Sequence, residues 1–137
     1  RFVLAEGNGR AVSLTQRDIR ELQLASGAIR AGIAILCEQG DVEPGELDRV
    51  FLAGAFGNYI RREHARRIGL LPDVPTERIH FVGNAASMGA KRALLSGEAG
   101  RRADELTRRI THVDLSSDMS FQMKFADAML FPESVTD

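Results

Sequence analysis

Short apolar runs and longer amphipathic stretches alternate along this chain. Phe2-Val3-Leu4-Ala5, Ala11-Val12-Ser13-Leu14, Arg49–Ala53 and Ile79–Val82 are short runs bounded by Gly, Asn, Asp or Pro, and each reads as a strand. Glu6-Gly7-Asn8-Gly9-Arg10 reads as the turn joining the first two. Thr15-Gln16-Arg17-Asp18 has the form of a capping box, with the Thr15 hydroxyl and the Asp18 side chain satisfying each other's backbone N–H groups. The helix it opens carries Ile19, Leu22, Ile29, Ile33 and Leu36 on one stripe, and Gly40 is its expected stop. Ser26-Gly27-Ala28 and Ala31-Gly32 lie inside that helix. An interior glycine costs about 1 kcal/mol relative to alanine, which close packing would offset.

Farther along, Asp41 to Glu46 reads as a loop, and helices are expected from about Arg62 to Ile68, after the second glycine turn through about Leu95, and over Arg101–Arg109. Pro72 and Pro75 keep the intervening loop out of helix. Thr111–Leu115 reads as an edge strand, and Ser116-Ser117-Asp118 as the cap of a final helix bearing Phe121, Phe125 and Met129. Strands alternating with helices predict an α/β fold, with a mostly parallel sheet and helices on both faces.

Two strand runs end in glycine turns, Gly54-Ala55-Phe56-Gly57 and Gly83-Asn84-Ala85-Ala86. Their spacing fits one strand–helix–strand crossover, which sets both turns at the carboxyl ends of neighbouring parallel strands. Ligands bind at that edge of open parallel sheets, because bare backbone N–H groups and helix N-termini converge there. Glycine permits φ > 0 or a close backbone approach, and Asn84 offers both a donor and an acceptor. Tight strand-to-helix turns also need glycine for packing alone. No Gly-Lys-Ser/Thr follows either turn, so a P-loop is excluded, and neither turn is a full dinucleotide fingerprint.

Among 137 residues, 44% are apolar, enough for a real core, and 18 basic against 19 acidic side chains leave a net charge of −1. Such a balance supplies no field to draw nucleic acid or an anionic membrane, and no apolar run approaches the roughly 20 residues of a membrane span. A cytoplasmic setting is expected. The single cysteine, Cys37, excludes an internal disulfide and cannot by itself hold an iron–sulfur cluster or zinc; its apolar helical setting reads as a reduced structural thiol. His64, His80 and His112 lack metal-ligand spacing. Arg61-Arg62-Glu63-His64-Ala65-Arg66-Arg67 reads as a solvated face with Glu63 beside Arg66 and Arg67. Asp114 beside Ser116 and Ser117 reads as a turn, and no acid/base pair or nucleophile motif appears. Met119, Met123 and Met129 with Phe121 and Phe125 give the last helix a soft apolar surface that reads first as core.

Leu52–Ile60, Arg67-Ile68-Gly69-Leu70-Leu71-Pro72 and Val82–Ala86 resemble blocks of the C-terminal domain of the reductive activators of corrinoid proteins. Asp18–Gly32 resembles the helix before them in that family, and Leu115–Asp118 with Phe121, Gln122 and Phe125 resembles its C-terminal end. The likeness covers nearly the whole chain in order. It implies a ribonuclease-H-like subdomain of an actin-like ATPase fold, of the acetate and sugar kinase/Hsp70/actin superfamily. Family members couple a ferredoxin-type iron–sulfur module to this domain and use ATP, with Mg, to drive reduction of cob(II)alamin to cob(I)alamin in a corrinoid methyl-transfer protein. By this resemblance Gly54, Ala55, Phe56 and Gly57 would approach the adenosine of ATP, and Gly83, Asn84 and Ala85 would form a second contact block. The superfamily's adenosine turn carries adjacent glycines, whereas here Ala55 follows Gly54.

The expectation is therefore a C-terminal subdomain, residues 1–137, cut from a larger protein: Arg1 is not a methionine, and a strand starting at residue 2 would normally follow a partner. Phosphate hairpins, the metal-positioning aspartate and the cluster cysteines would lie elsewhere, so no catalytic or metal residue is assigned here. Expected partners are a corrinoid protein of a methyltransferase system, the N-terminal half of the same protein, and a second copy in a homodimer. Two other readings stay open: an actin-like ATPase subdomain that activates another redox enzyme, and a non-catalytic interaction module whose glycines serve packing.

Overall fold

The computed structural model describes residues 1–7 and 10–133, so the centre of the first expected turn lies outside the described residues. Strands β1 (Phe2–Gly7) and β2 (Arg10–Leu14) form an antiparallel pair, and helix α1 (Gln16–Gln39) follows directly. Strand β3 (Val50–Ala53) leads through a 3-10 turn at Ala55–Asn58 into helix α2 (Arg62–Arg67), and strand β4 (Ile79–Gly83) returns parallel to β3. Helices α3 (Ala85–Leu95), α4 (Gly97–Thr107) and α5 (Met119–Ala128) complete the order. No helix is long and apolar enough to cross a membrane among the described residues.

The chain is α/β, but the single, mostly parallel sheet expected from the sequence is replaced, among the described residues, by two separate two-stranded sheets, one of them antiparallel. Helices do not cover both faces of the parallel pair either. Val50, Leu52 and Ile79 lie on the face that packs against Ala65, Leu70, Leu71 and Val74, while Phe51, Ala53 and His80 on the other face are exposed. The expected strand at Thr111–Leu115 is also absent: residues 111–114 are irregular and Leu115 lies in a turn. Asp114 bends the chain there, its carboxylate accepting from the Ser116 N–H at 3.0 Å and the Ser116 hydroxyl at 2.6 Å.

The capping box forms as the pattern predicts. The Asp18 carboxylate accepts from the Thr15 N–H at 2.8 Å and from its hydroxyl at 2.7 Å, and the Asp18 N–H donates to Thr15 Oγ1 at 3.2 Å. The expected apolar stripe of α1 does not become its buried face. Leu22, Ile29 and Leu36 remain 39%, 44% and 54% exposed, while Ser26, Gly27, Ala31, Gly32, Ile35 and Cys37 are buried. Small residues win because neighbouring backbone comes very close. A Cβ on Gly27 would lie 3.2 Å from the backbone of Met129, which ends α5, and one on Gly32 would lie 3.3 Å from Leu115. Arg30 fastens the same junction, its Nη1 donating to the carbonyls of Ala128 at 3.0 Å and Leu130 at 2.6 Å, and Lys124 pairs with Glu38. Phe121 and Phe125 stack on α5 with centroids 5.8 Å apart, whereas Met119 and Met123 are exposed and do not join a core.

Candidate functional site

The core beneath β3 and β4 is built by the chain that connects them. Ala65 on α2 and Leu70, Leu71 and Val74 in the loop after it enclose Ile79, which is fully buried. Two arginines expected on a solvated face turn inward instead. Arg62 Nη1 donates to the Thr76 and Ile79 carbonyls at 3.2 and 3.1 Å, with its guanidinium 5.8 Å from the centroid of the Phe81 ring, and Arg66 pairs with Asp73 at 2.6 Å. A long aliphatic stem lets each arginine cover apolar surface while its head meets carbonyls or a carboxylate. This packing fixes the ends of both strands.

At those ends the two glycine turns come together, as the crossover spacing predicts. The Gly54 N–H donates to the Gly83 carbonyl at 2.7 Å. The parallel register slips at this point: Leu52 pairs with Phe81 but Ala53 with Gly83, leaving Val82 as the extra residue. Both glycines take left-handed backbone, φ +87° at Gly54 and +61° at Gly83, a region that L side chains adopt only at a cost. A Cβ built on either meets nothing within 4 Å. Packing therefore does not explain these two glycines; they form an open shelf at the strand ends.

Gly57 behaves differently. A Cβ there would lie 3.0 Å from the Phe81 ring and 3.4 Å from Leu52 Cβ, so this glycine serves close packing of the 3-10 turn on the strands. Ala55 and Phe56 lie in that turn. Asn84 is the N-cap of α3, its side-chain oxygen accepting from the Ser87 N–H at 3.0 Å, so its acceptor is committed to the helix. Ala85 is the first residue of α3, whose N-terminus thus opens beside the shelf. The sequence did not separate the open glycines, Gly54 and Gly83, from the packed Gly57; only the sign of φ and the room around each does so.

Other features carry less chemistry. A cavity of about 440 Å³ lies away from the turns, among Arg30, Ala31, Arg66, Leu71, Asp73 and Lys124. Its cationic groups already meet partners within the chain: Arg30 the carbonyls, Arg66 Asp73, and Lys124 Glu38. Cys37 is buried, and burial first, then the nearby Glu43 carboxylate, push its thiol pKa up, away from a reactive thiolate. Among the described residues no group of three His, Cys, Asp or Glu side chains is placed to hold a metal ion.

Comparison with known proteins adds a family. A family model described as the C-terminal domain of RACo, the ASKHA domain, matches residues 1–137. The chain is 35% identical over 127 residues to the corrinoid activation enzyme RamQ of Eubacterium limosum, covering 93% of this chain and 21% of that protein. It is 28% identical over 115 residues to a [Co(II) methylated amine-specific corrinoid protein] reductase of Methanosarcina barkeri, covering 82% of this chain and 21% of that protein. A solved structure, a reductive activator for corrinoid, iron–sulfur protein, superposes with a TM-score of 0.79 at 37% identity, covering 96% of this chain and 22% of its own. The chain thus spans about a fifth of the length of the relatives it matches.

Proposed function

This chain belongs to the family of the C-terminal ASKHA domain of RACo, and from that premise we propose that it forms one wall of the nucleotide cleft in an ATP-dependent reductive activator of a corrinoid methyl-transfer protein. The relatives' names carry the corrinoid side of this reading. The observation that carries the nucleotide side is the shelf itself: two left-handed glycines bonded to each other, with open space above both. The left-handed backbone itself calls for glycine at both positions, and no other atom of the chain fills the space above them, which leaves room for a ligand.

The residues fit a planar, uncharged group better than a triphosphate. Bare backbone at Gly54 and Gly83, with nothing within 4 Å of a Cβ built on either, gives room for an adenosine to lie against. ATP would bring the hydrolysis that drives an uphill reduction. Gly54, Ala55, Phe56 and Gly57 would shape one side of its adenosine site, and Gly83, Asn84 and Ala85 the other. Mg and the phosphates would be held by the N-terminal half of the same protein, which would also close the cleft. An iron–sulfur cluster does not fit this segment, whose single cysteine is buried, so the electron source would lie outside residues 1–137. In this reading residues 1–137 are a C-terminal, ribonuclease-H-like subdomain of a cytoplasmic, homodimeric protein that meets a corrinoid protein.

The test uses the whole protein. At φ +61° Gly83 lies in the region that asparagine tolerates, so Gly83→Asn keeps the backbone and places a side chain over the shelf. The expected result is ATP affinity at least about tenfold weaker by calorimetry, equivalent to about 1.4 kcal/mol, with an unchanged Tm. Unchanged affinity would move the nucleotide away from this shelf and favour a packing or partner role for the turns.

A further inference from the structure

The parallel ladder slips where the glycine turns meet. Leu52 pairs with Phe81, Val82 is skipped, and the Gly54 N–H then reaches the Gly83 carbonyl. A bulge of this kind disrupts the ladder locally, so the separation of Gly54 from Gly83 needs a second anchor. Phe81, just before the bulge, touches the first turn. Its ring carbon Cδ1 would lie 3.0 Å from a Cβ on Gly57, so the 3-10 turn rests on this ring. Yet Phe81 is 42% exposed, and burial alone does not fix its position.

Arg62 supplies what burial does not. Its guanidinium lies 5.8 Å from the Phe81 centroid, within cation–π range, and its Nη1 donates to the Thr76 and Ile79 carbonyls. As the first residue of α2, it belongs to the segment that follows the first turn, whereas Thr76, Ile79 and Phe81 belong to the segment that leads into the second. One side chain therefore ties together the two segments that carry the turns. A methionine there would cover the same apolar surface, but it would leave both carbonyls without this donor and the ring without its cation.

We propose that Arg62 is the positioning residue of the glycine shelf, holding Phe81 against the Gly57 turn and so setting the separation of Gly54 from Gly83. Its consequence for ATP rests on the nucleotide reading above; the placement of the two glycines does not.

The test compares the whole protein with three variants. Arg62→Met keeps the aliphatic stem, Arg62→Lys keeps a cation with donors, and Ile35→Ala opens a buried site in α1 outside the core beneath β3 and β4. Arg62→Met is expected to speed amide hydrogen exchange at Gly54 at least ~10-fold and to weaken ATP affinity about fivefold. Arg62→Lys should recover part of both effects. Ile35→Ala should lower the Tm and move neither, which separates positioning from general loosening. Unchanged Gly54 exchange in Arg62→Met overturns the proposal, whatever ATP does, and so does an equal rise in Ile35→Ala. Faster Gly54 exchange confined to Arg62→Met, with unchanged ATP affinity, upholds the positioning role and counts against the nucleotide reading instead.

Discussion

Strands β3 and β4 lay Val50, Leu52 and Ile79 on Ala65, Leu70, Leu71 and Val74, with Arg62 bonded to the Ile79 carbonyl, whereas every residue of β1 is exposed. The two pairs start from similarly apolar runs. What differs is the connection. Only two residues separate β1 from β2 in sequence, while between β3 and β4 the chain travels through α2 and a loop rich in Leu, Pro and Val that folds back onto the pair as core. A parallel pair needs such a crossover, and the crossover brings its own apolar cover. The glycine shelf stands on the anchored pair, where backbone held from below can sustain two left-handed residues side by side.

The strongest way to break this contrast is to hollow out its anchored half. Ile79→Ala removes a fully buried side chain from the centre of the core, and the expected loss is about 2–5 kcal/mol in denaturant unfolding of the whole protein. Val12→Ala on the exposed hairpin should cost less than about 1 kcal/mol. Equal losses would show that the hairpin is as deeply packed as β4 in the whole protein, and the contrast would disappear.

Local pattern made the strand runs, the crossover and the capping box legible, since each is decided by neighbours in sequence. It misjudged α1, where Leu22, Ile29 and Leu36 mark the largest apolar side chains but the buried face is set by Gly27, Ala31 and Gly32. Periodicity weighs side chains that are present, whereas close helix packing is decided by those that are missing. Thr111–Leu115 read as a strand because nothing in its pattern reveals that Asp114 will turn onto Ser116. Arg62 and Arg66 read as solvated because their partners, Thr76, Ile79 and Asp73, are brought close only by the loop after α2. Of the site, the pairing of Gly54 with Gly83 was legible from strand spacing. The packing duty of Gly57 was not, because it rests on Phe81 from the neighbouring strand.

Gly69 sharpens the comparison at the border between the anchored core and the helix pair. Its φ is +73°, and a Cβ would lie 3.0 Å from Arg30 Cδ and 3.1 Å from the Pro132 ring. Unlike the shelf glycines, it is both left-handed and crowded. Gly69→Ala is expected to cost about 2 kcal/mol, from backbone strain and a displaced Arg30. Gly45→Ala, where a Cβ meets nothing within 4 Å and φ is not left-handed, should change stability little and serves as the control. A neutral Gly69→Ala would mean that Arg30 and Pro132 yield freely, and that the core and the helix pair are less tightly joined than their contacts imply.

The smallest expected effect lies where the bare hairpin hands the chain to α1. The hydrogen bond from the Thr15 hydroxyl, and then the one from its backbone N–H, hold the Asp18 carboxyl below its ordinary value of 3.8. A carboxylate whose folded pKa is lowered contributes stability that is fully present above the unfolded value and is lost as pH falls through the folded one. Asp18→Asn should therefore lower the Tm of the whole protein slightly at neutral pH, and the deficit should hold steady until the ordinary carboxylate range is reached. Below the lowered folded value wild type and variant should coincide, because the protonated Asp18 no longer acts as a charged acceptor for Thr15. Thermal scans at pH 7 and at successive values below 3.8 check this. A deficit that persists unchanged at the acid end would trace the effect of Asp18 to something other than its charge. The hydrogen bonds that Thr15 donates to the Asp18 side chain would then act through its shape and acceptor geometry, whatever its ionisation.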